Sequence, residues 1–154
     1  MAVLDKDDIL EQLFDERGIG DAEWRSALSR EADRLLARLA SEKRSACLVS
    51  WWRHPRSTTD TGTPTEWLIA LPSRVVEVHC VCPVDIAVDR FMGRIRHPGH
   101  LDASKSRDSM TKQFHALATL GPLGIGPVIE LTMADDVDLE PIVSWLAAQN
   151  PERT

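Results

Sequence analysis

Apolar residues recur at two different spacings along the chain, and each spacing predicts a different kind of element. Residues 1–4 form a short apolar run that predicts a strand end, and apolar positions then recur at helical spacing over residues 9–14. Gly18 is suited to ending this helix. Asp21 is a favourable N-cap for a longer helix, whose apolar stripe predicts an end near Ser41.

Two continuous apolar runs, at residues 46–51 and 75–82, have strand length and lack polar alternation. Such runs are typical of strands that are covered on both faces in a parallel sheet. The remaining predicted elements are helices at residues 67–71, 83–91, 109–120 and 139–148 and a short strand at residues 128–131. A capping-box pattern at residues 63–66, with Thr63 as the N-cap, precedes the first of these helices.

Strands and helices therefore alternate along the chain. This alternation predicts right-handed crossovers, so we expect an α/β fold, a three-layer sandwich in which a mostly parallel sheet lies between helices. Ligands bind at the carboxyl ends of the strands in this architecture. Residues 5–8, 50–54 and 82–83 follow predicted strand ends, and we expect them to lie at the binding edge.

The chain has 154 residues, a length that suits one hydrophobic core, so we predict a single domain over residues 1–154. With 18 Lys and Arg against 24 Asp and Glu, its net charge of −6 makes nucleic acid and anionic membranes unfavourable partners. Residues 116–129 form the longest uncharged stretch, which is too short to span a bilayer. Because the first residues lack a signal-peptide pattern and Cys is sparse, we predict a cytoplasmic protein.

An acidic cluster, Asp5, Asp7 and Asp8, lies where the first strand passes into the first helix. A carboxylate at this place can accept a proton from a substrate hydroxyl or hold a magnesium-bound water. Helix capping explains the same residues without chemistry, because Asp is favoured in the first turn of a helix. Both interpretations stay open at this point.

A basic segment at residues 93–108 has little apolar content and contains Arg94, Arg96, His97 and His100, with Arg90 shortly before it. Guanidinium groups bind phosphoryl oxygens in a bidentate manner, so the segment can act as a mobile, lid-like phosphate clamp. A solvated charged loop is the alternative interpretation.

Other candidate residues can be explained by packing as well as by a functional role. Trp51 and Trp52 can stack on a base, although tryptophans at a strand end more often close a core. Cys80 and Cys82 alternate onto one face of a strand, which favours core packing over metal binding. We predict no metal site in the protein, and the sequence has no nucleophile elbow or zinc-protease motif.

Three segments together resemble the P-loop small-molecule kinases: residues 3–9 with their acidic cluster, residues 75–83, and residues 90–100 with their spaced arginines and histidines. The resemblance is to predicted ATP-binding kinases allied to chloramphenicol phosphotransferase, zeta toxin and the kinase domain of polynucleotide kinase. It extends over most of the chain. It implies phosphate transfer from Mg-ATP to the hydroxyl of a small molecule or nucleoside, with ATP and magnesium as cofactors.

The resemblance also assigns roles. Asp7 corresponds to the carboxylate that acts as base or orients the acceptor hydroxyl, and the lid arginines that contact ATP phosphates correspond to Arg90, Arg94 and Arg96. Residues assigned to substrate binding, from the lid segment or from predicted strand ends, are Asp8, Trp52, Arg53, His97 and His100. Leu10 stands where some relatives have an arginine, which counts against a polynucleotide substrate.

The chain departs from the family at the phosphate loop. Glycine precedes none of the four lysines, so the Gly-x-x-x-x-Gly-Lys-Ser/Thr motif is absent, and with it the main electrostatic contribution to phosphoryl transfer. The resemblance then implies that the first, central strand of the sheet is missing. Its loss would leave a gap between the strands at residues 46–51 and 75–82 or force them to pair directly.

We therefore interpret the chain as a kinase fold shortened at its N-terminus, through a late-assigned start or genuine loss, with weak or no activity. It is an enzyme, a kinase acting on an alcohol group, if a phosphate loop is encoded upstream. The alternative hypothesis is a non-catalytic interaction domain, with a homodimer covering the incomplete sheet.

Overall fold

The computed structural model describes residues 1–133 and 137–149, so the last five residues of the predicted domain lie outside the described part. The chain divides into two compact units. One comprises Met1–Ser73 and Arg94–Ser106, and the other comprises Arg74–Gly93 and the described residues from Arg107 onward. The single domain over residues 1–154 stays a prediction.

The first unit contains a parallel pair of strands and the helices that follow them. Its elements are β1 (Ala2–Asp5), α1 (Lys6–Arg17), α2 (Ala22–Ser41), β2 (Ala46–Val49) and α3 (Glu66–Ile69). β1 and β2 pair in register, with Ala2 opposite Ala46 and Asp5 opposite Val49. The core forms where α1 meets α2, and its buried residues are Leu10, Leu13, Phe14, Leu28 and Ala32.

Local sequence explains where these helices begin and end. The Asp5 carboxylate accepts a hydrogen bond from the Asp7 backbone N–H at 2.9 Å, and Asp21 accepts one from Trp24 N–H at the same distance. Gly18 ends α1 with a φ of 84°, a backbone conformation that favours glycine. The predicted caps therefore place both helices correctly.

The second unit has the same kind of architecture. Its elements are β3 (Glu77–Val81), α4 (Val84–Gly93), α5 (Arg107–Ala118), β4 (Val128–Thr132) and α6 (Glu140–Gln149). β3 and β4 are parallel, with Glu77 opposite Val128. Val88 and Met110 are buried, and the rings of Phe91 and Phe114 meet edge to face at 6.0 Å between centroids.

Parallel strands alternating with helices confirm the predicted α/β class. Among the described residues, the strands form two separate two-stranded sheets, so residues 46–51 do not pair directly with residues 75–82. The expectation that these strands are covered on both faces is not met. Side chains alternate along a strand, and β1 and β2 expose Val3, Cys47 and Val49 on one face, while α1 and α2 contact β1.

Cys80 is also exposed, together with Val78 on β3. The prediction that Cys80 packs in a core was therefore wrong, because Cys80 and Val78, on the same face of β3, are both exposed. No described helix combines the length and the apolarity that a membrane crossing requires.

Candidate functional site

The carboxyl ends of β1 and β2 form one edge of the first sheet, because the two strands are parallel and in register. α1 begins directly after β1, so Asp7 and Asp8 lie in its first turn at this edge. Residues 50–54 follow β2 at the same edge. Asp5 is the cap of α1, which matches the capping interpretation for that residue, whereas Asp7 and Asp8 are exposed and are not the cap.

α1 carries a row of acidic residues that pairs with the basic segment. The acids are spaced four residues apart, which places them on one face of the helix. The pairs are Asp7 with Arg96, Glu11 with His100, and Asp15 with His97. His100 Nε2 lies 2.9 Å from Glu11 Oε1, and His97 Nε2 lies 3.3 Å from Asp15 Oδ1. We call this set of three pairs the clasp.

Aromatic packing reinforces the clasp. The Phe14 ring stacks on His97 at 5.3 Å between centroids and meets His100 edge-on at 5.6 Å. Gly99 lies against the same ring so closely that a Cβ at this position would overlap Phe14. Gly99 and His100 are buried. The interpretation of residues 93–108 as a solvated loop therefore fails for these two residues, because Phe14 supplies an apolar surface for them.

Asp102 joins the two arginines of the segment. Its Oδ2 accepts hydrogen bonds from Arg94 Nη2 at 2.9 Å and from Arg96 Nη1 at 3.3 Å. Two guanidinium groups therefore share the carboxylates of Asp7 and Asp102, and their charges are balanced within the site. A phosphate that binds here competes with Asp102 for these guanidinium groups.

Burial changes two protonation equilibria near this edge. It lowers the pKa of His100, and the adjacent Arg96 guanidinium lowers it further, while the hydrogen bond with Glu11 acts in the opposite direction. His100 therefore favours its neutral imidazole. Burial raises the pKa of Asp5, and the hydrogen bond from the Asp7 backbone N–H partly offsets the shift.

Arg90 belongs to the second unit, where it lies on α4. Its Nη1 donates to the carbonyl oxygen of Met133 at 3.3 Å and lies 3.9 Å from Cys82 Sγ. Cys82 follows β3 and Met133 follows β4, so Arg90 sits at the carboxyl ends of that sheet. The structure thus brings Arg94 and Arg96 together with Asp7 and Asp102, and it places Arg90 in the other unit.

A buried polar network beside the edge has no counterpart in the sequence-based prediction. Lys6 Nζ lies 2.6 Å from Asp33 Oδ1, and the two side chains are only 10% and 14% exposed. Thr63 Oγ1 donates to the same Asp33 oxygen at 2.8 Å and lies 2.6 Å from Ser50 Oγ. Thr63 is therefore not the N-cap of α3, and the capping-box prediction was wrong because Asp33 uses its hydroxyl.

Two features of the sequence could have indicated the pairing of α1 with the basic segment and the burial of Lys6. Asp7, Glu11 and Asp15 are spaced four residues apart and therefore form one acidic face of a helix. The basic segment at residues 93–108 contains only two acids of its own, Asp102 and Asp108, so the acidic face is a suitable partner for it. Lys6 stands directly between an apolar strand and a helix, where a long cationic side chain can fold back over the core. Asp33 had no such signal, because it occupies an ordinary position on a long amphipathic helix.

The remaining predicted residues, Trp52 and Arg53, lie in the loop that follows β2. Trp52 packs against Trp67 with 6.0 Å between ring centroids, which agrees with the packing interpretation of this tryptophan. Arg53 Nη1 pairs with Asp60 Oδ1 at 2.6 Å. Within residues 1–133 and 137–149, no three His, Cys, Asp or Glu side chains converge as a metal site would require.

Comparison with known proteins finds similarity at the level of the fold. No protein-family model and no curated protein matches the chain. The fold is similar to that of a crystal structure of a "putative kinase" from Chloroflexus aurantiacus, with a TM-score of 0.77 and 24% sequence identity. The match covers 96% of this chain and 83% of that protein. The chain therefore shares the α/β fold of that protein.

Proposed function

We propose that this chain is a kinase-like, ATP-binding domain that acts on a hydroxyl group of a small molecule or nucleoside. One observation carries the proposal: Asp7 and the paired arginines Arg94 and Arg96 meet at the carboxyl edge of β1 and β2. Ligands of parallel α/β folds bind at such an edge. The fold shared with the Chloroflexus aurantiacus protein supports the same class of activity.

Asp7 is the proposed base. Its side chain is 54% exposed, so a substrate hydroxyl can reach the carboxylate although Arg96 pairs with Oδ2. Asp7 would take the proton of that hydroxyl as its oxygen receives the phosphoryl group. Asp8, in the same exposed turn, and His97 on the clasp would contact the acceptor.

Arg94 and Arg96 are the proposed phosphate ligands. Arg94 is the more accessible, with 37% of its side chain exposed against 17% for Arg96. For both arginines, hydrogen bonds to phosphate oxygens would replace those that Asp102 now accepts. Hydrogen bonds between charged groups are stronger than those between neutral groups. The assignment of Arg90 as a phosphate ligand stays a prediction from the sequence.

ATP and magnesium are the cofactors that this function requires. The two guanidinium groups suit phosphate oxygens, whereas the Asp7 and Asp102 carboxylates are engaged by arginine, so magnesium would be held chiefly by the phosphates themselves. When bound, ATP supplies the phosphoryl group. The 154 residues contain no phosphate loop, so we expect slow turnover even where nucleotide binds.

Calorimetric titration with Mg-ATP tests the proposal. Arg94→Ala should weaken binding roughly tenfold or more, because it removes a charge-assisted hydrogen bond. Arg44→Ala is the matched control, since it removes one exposed arginine before the amino end of β2, at the opposite edge. Absence of binding at millimolar Mg-ATP, or equal effects of the two substitutions, would contradict the proposal.

A non-catalytic interaction domain is the second candidate, and the exposed sheet faces favour it. Val3 on β1 is 68% exposed and Val49 on β2 is 42% exposed, which is unusual for apolar side chains of strands. A homodimer that covers such a face would show a doubled mass in multi-angle light scattering. A monomer that binds Mg-ATP would instead favour the kinase-like function.

A further inference from the structure

The loop between β2 and α3 borders an open cavity of about 320 Å³ within the first unit. This volume lies at the lower end of the range for small-molecule sites. The cavity follows the carboxyl end of β2, on the same sheet edge as Asp7. Its lining combines a few charged side chains with several hydroxyl groups: Arg53, His54, Ser57, Thr58, Asp60 and Glu66.

Hydrogen bonds hold the wall of this cavity in place. The backbone N–H of Arg53 donates to the Thr63 carbonyl at 2.8 Å, and the Thr63 N–H donates to the Trp51 carbonyl at 2.8 Å. His54 is 8% exposed, and its Nδ1 accepts the Arg56 backbone N–H at 3.0 Å. A cavity that is already ordered loses little entropy when a ligand binds.

The hydroxyl groups at the rim are largely used by one another. Thr59 Oγ1 lies 3.1 Å from Ser57 Oγ and 2.7 Å from Thr61 Oγ1. Hydrogen-bonding capacity toward a ligand is therefore concentrated in the carboxylates of Glu66 and of Asp60, whose Oδ1 already pairs with Arg53. Carboxylates accept hydrogen bonds and never donate them when ionised.

The charges of the lining point to the class of ligand. Arg53 contributes one positive charge, and Asp60 and Glu66 contribute two negative charges, so these three side chains together carry one net negative charge. Arg53 is already neutralised by Asp60 at 2.6 Å. A phosphorylated ligand would have to displace Asp60 and lie beside Glu66, and both requirements oppose its binding.

We infer that this cavity binds the acceptor substrate, and that the acceptor is an unphosphorylated, neutral or cationic small molecule rich in hydroxyl or amine donors. The role of the bound molecule as phosphoryl acceptor rests on the proposed kinase-like function. The cavity itself selects donor-rich molecules whether or not the chain binds ATP, because its acceptor groups are carboxylates.

Three hexoses that share one scaffold test the charge preference: glucosamine, glucose and glucose 6-phosphate. Binding is followed by NMR chemical-shift changes of the isotope-labelled protein at tens of millimolar sugar. We expect the largest shifts within residues 53–66, with glucosamine binding tightest and glucose 6-phosphate weakest. Glu66→Gln should reduce the preference for glucosamine over glucose roughly two- to fivefold, as expected for an exposed ion pair.

Glu23→Gln is the matched control, because it removes an exposed carboxylate of α2 that does not line the cavity. The inference is overturned if none of the three sugars shifts residues 53–66, or if glucose 6-phosphate binds tightest. A separate failure of Mg-ATP to bind would remove the kinase-like function and leave the cavity as a small-molecule site, so the two failures are distinguishable.

Discussion

The buried pair of Lys6 and Asp33 allows the sharpest prediction about stability. Their charged atoms lie 2.6 Å apart, and Asp33 also accepts the Thr63 hydroxyl. Removing one partner leaves the other charge buried without compensation, which typically costs about 3–5 kcal/mol. Because the side chains retain 10% and 14% exposure, we expect Lys6→Met and Asp33→Leu each to cost about 3 kcal/mol, the lower end of that range.

The double variant Lys6→Met with Asp33→Leu should cost far less than the sum of the single losses. It removes both charges together, so no uncompensated charge remains, and only the Thr63 hydroxyl loses a partner while it keeps Ser50. We expect a coupling energy of at least about 2 kcal/mol, within the range for residues that share a network.

Urea unfolding followed by tryptophan fluorescence measures these effects. Four of the five tryptophans, Trp24, Trp51, Trp52 and Trp67, belong to the first unit, so the signal mainly reports that unit. A loss of about 3 kcal/mol lowers the urea midpoint by roughly 1.5 M when the m-value is about 2 kcal/mol/M.

Arg17→Met is the control for loss of a cation, because the exposed pair of Arg17 and Glu31 should contribute much less. Single-variant losses that simply add in the double variant would refute the idea of a coupled buried pair. A Lys6→Met protein that is as stable as the wild type would refute it as well.

Two further predictions concern the clasp. Gly99→Ala should cost about 1–3 kcal/mol, because its Cβ would overlap the Phe14 ring. A urea midpoint equal to that of the wild type would contradict this packing. Folding lowers the pKa of His100, so as the pH falls the unfolded chain binds a proton at this histidine before the folded chain does. The stability that the neutral His100 contributes is present above about pH 6.5 and is lost as the pH falls toward the folded pKa. His100→Gln should therefore lose less stability than the wild type between about pH 7.5 and about pH 5.5 in urea unfolding, and an equal loss would show that His100 does not titrate in this way.

The helices and strands were predicted well because their signals are local. The caps predicted at Gly18 and Asp21 and the helical spacing of Leu10, Leu13 and Phe14 act within one or two turns, and the structure confirms the helices they predict. Thr63 shows where such signals fail. Its capping-box pattern is locally complete, yet Asp33, thirty residues earlier in the chain, takes the hydroxyl into a buried network.

The location of the site residues could likewise be predicted from local sequence, whereas their partners could not. Their placement after strand ends follows from the order of elements, so Asp7 and Arg53 could be located from the sequence. Their partners could not, because Arg96 reaches Asp7 across 89 positions and the same separation joins His100 to Glu11. Neither pairing can be recognised from the residues that neighbour each partner in the sequence.

The sequence by itself determined the α/β class, the limits of most elements and the basic character of residues 93–108, since these depend on spacing, capping and composition. Only the tertiary structure decided that this segment is held by an acidic face of α1, that Lys6 is buried against Asp33, and that the strands form two separate pairs. The physical reason is that ion pairing, burial and strand pairing depend on distances in space between residues far apart in the chain.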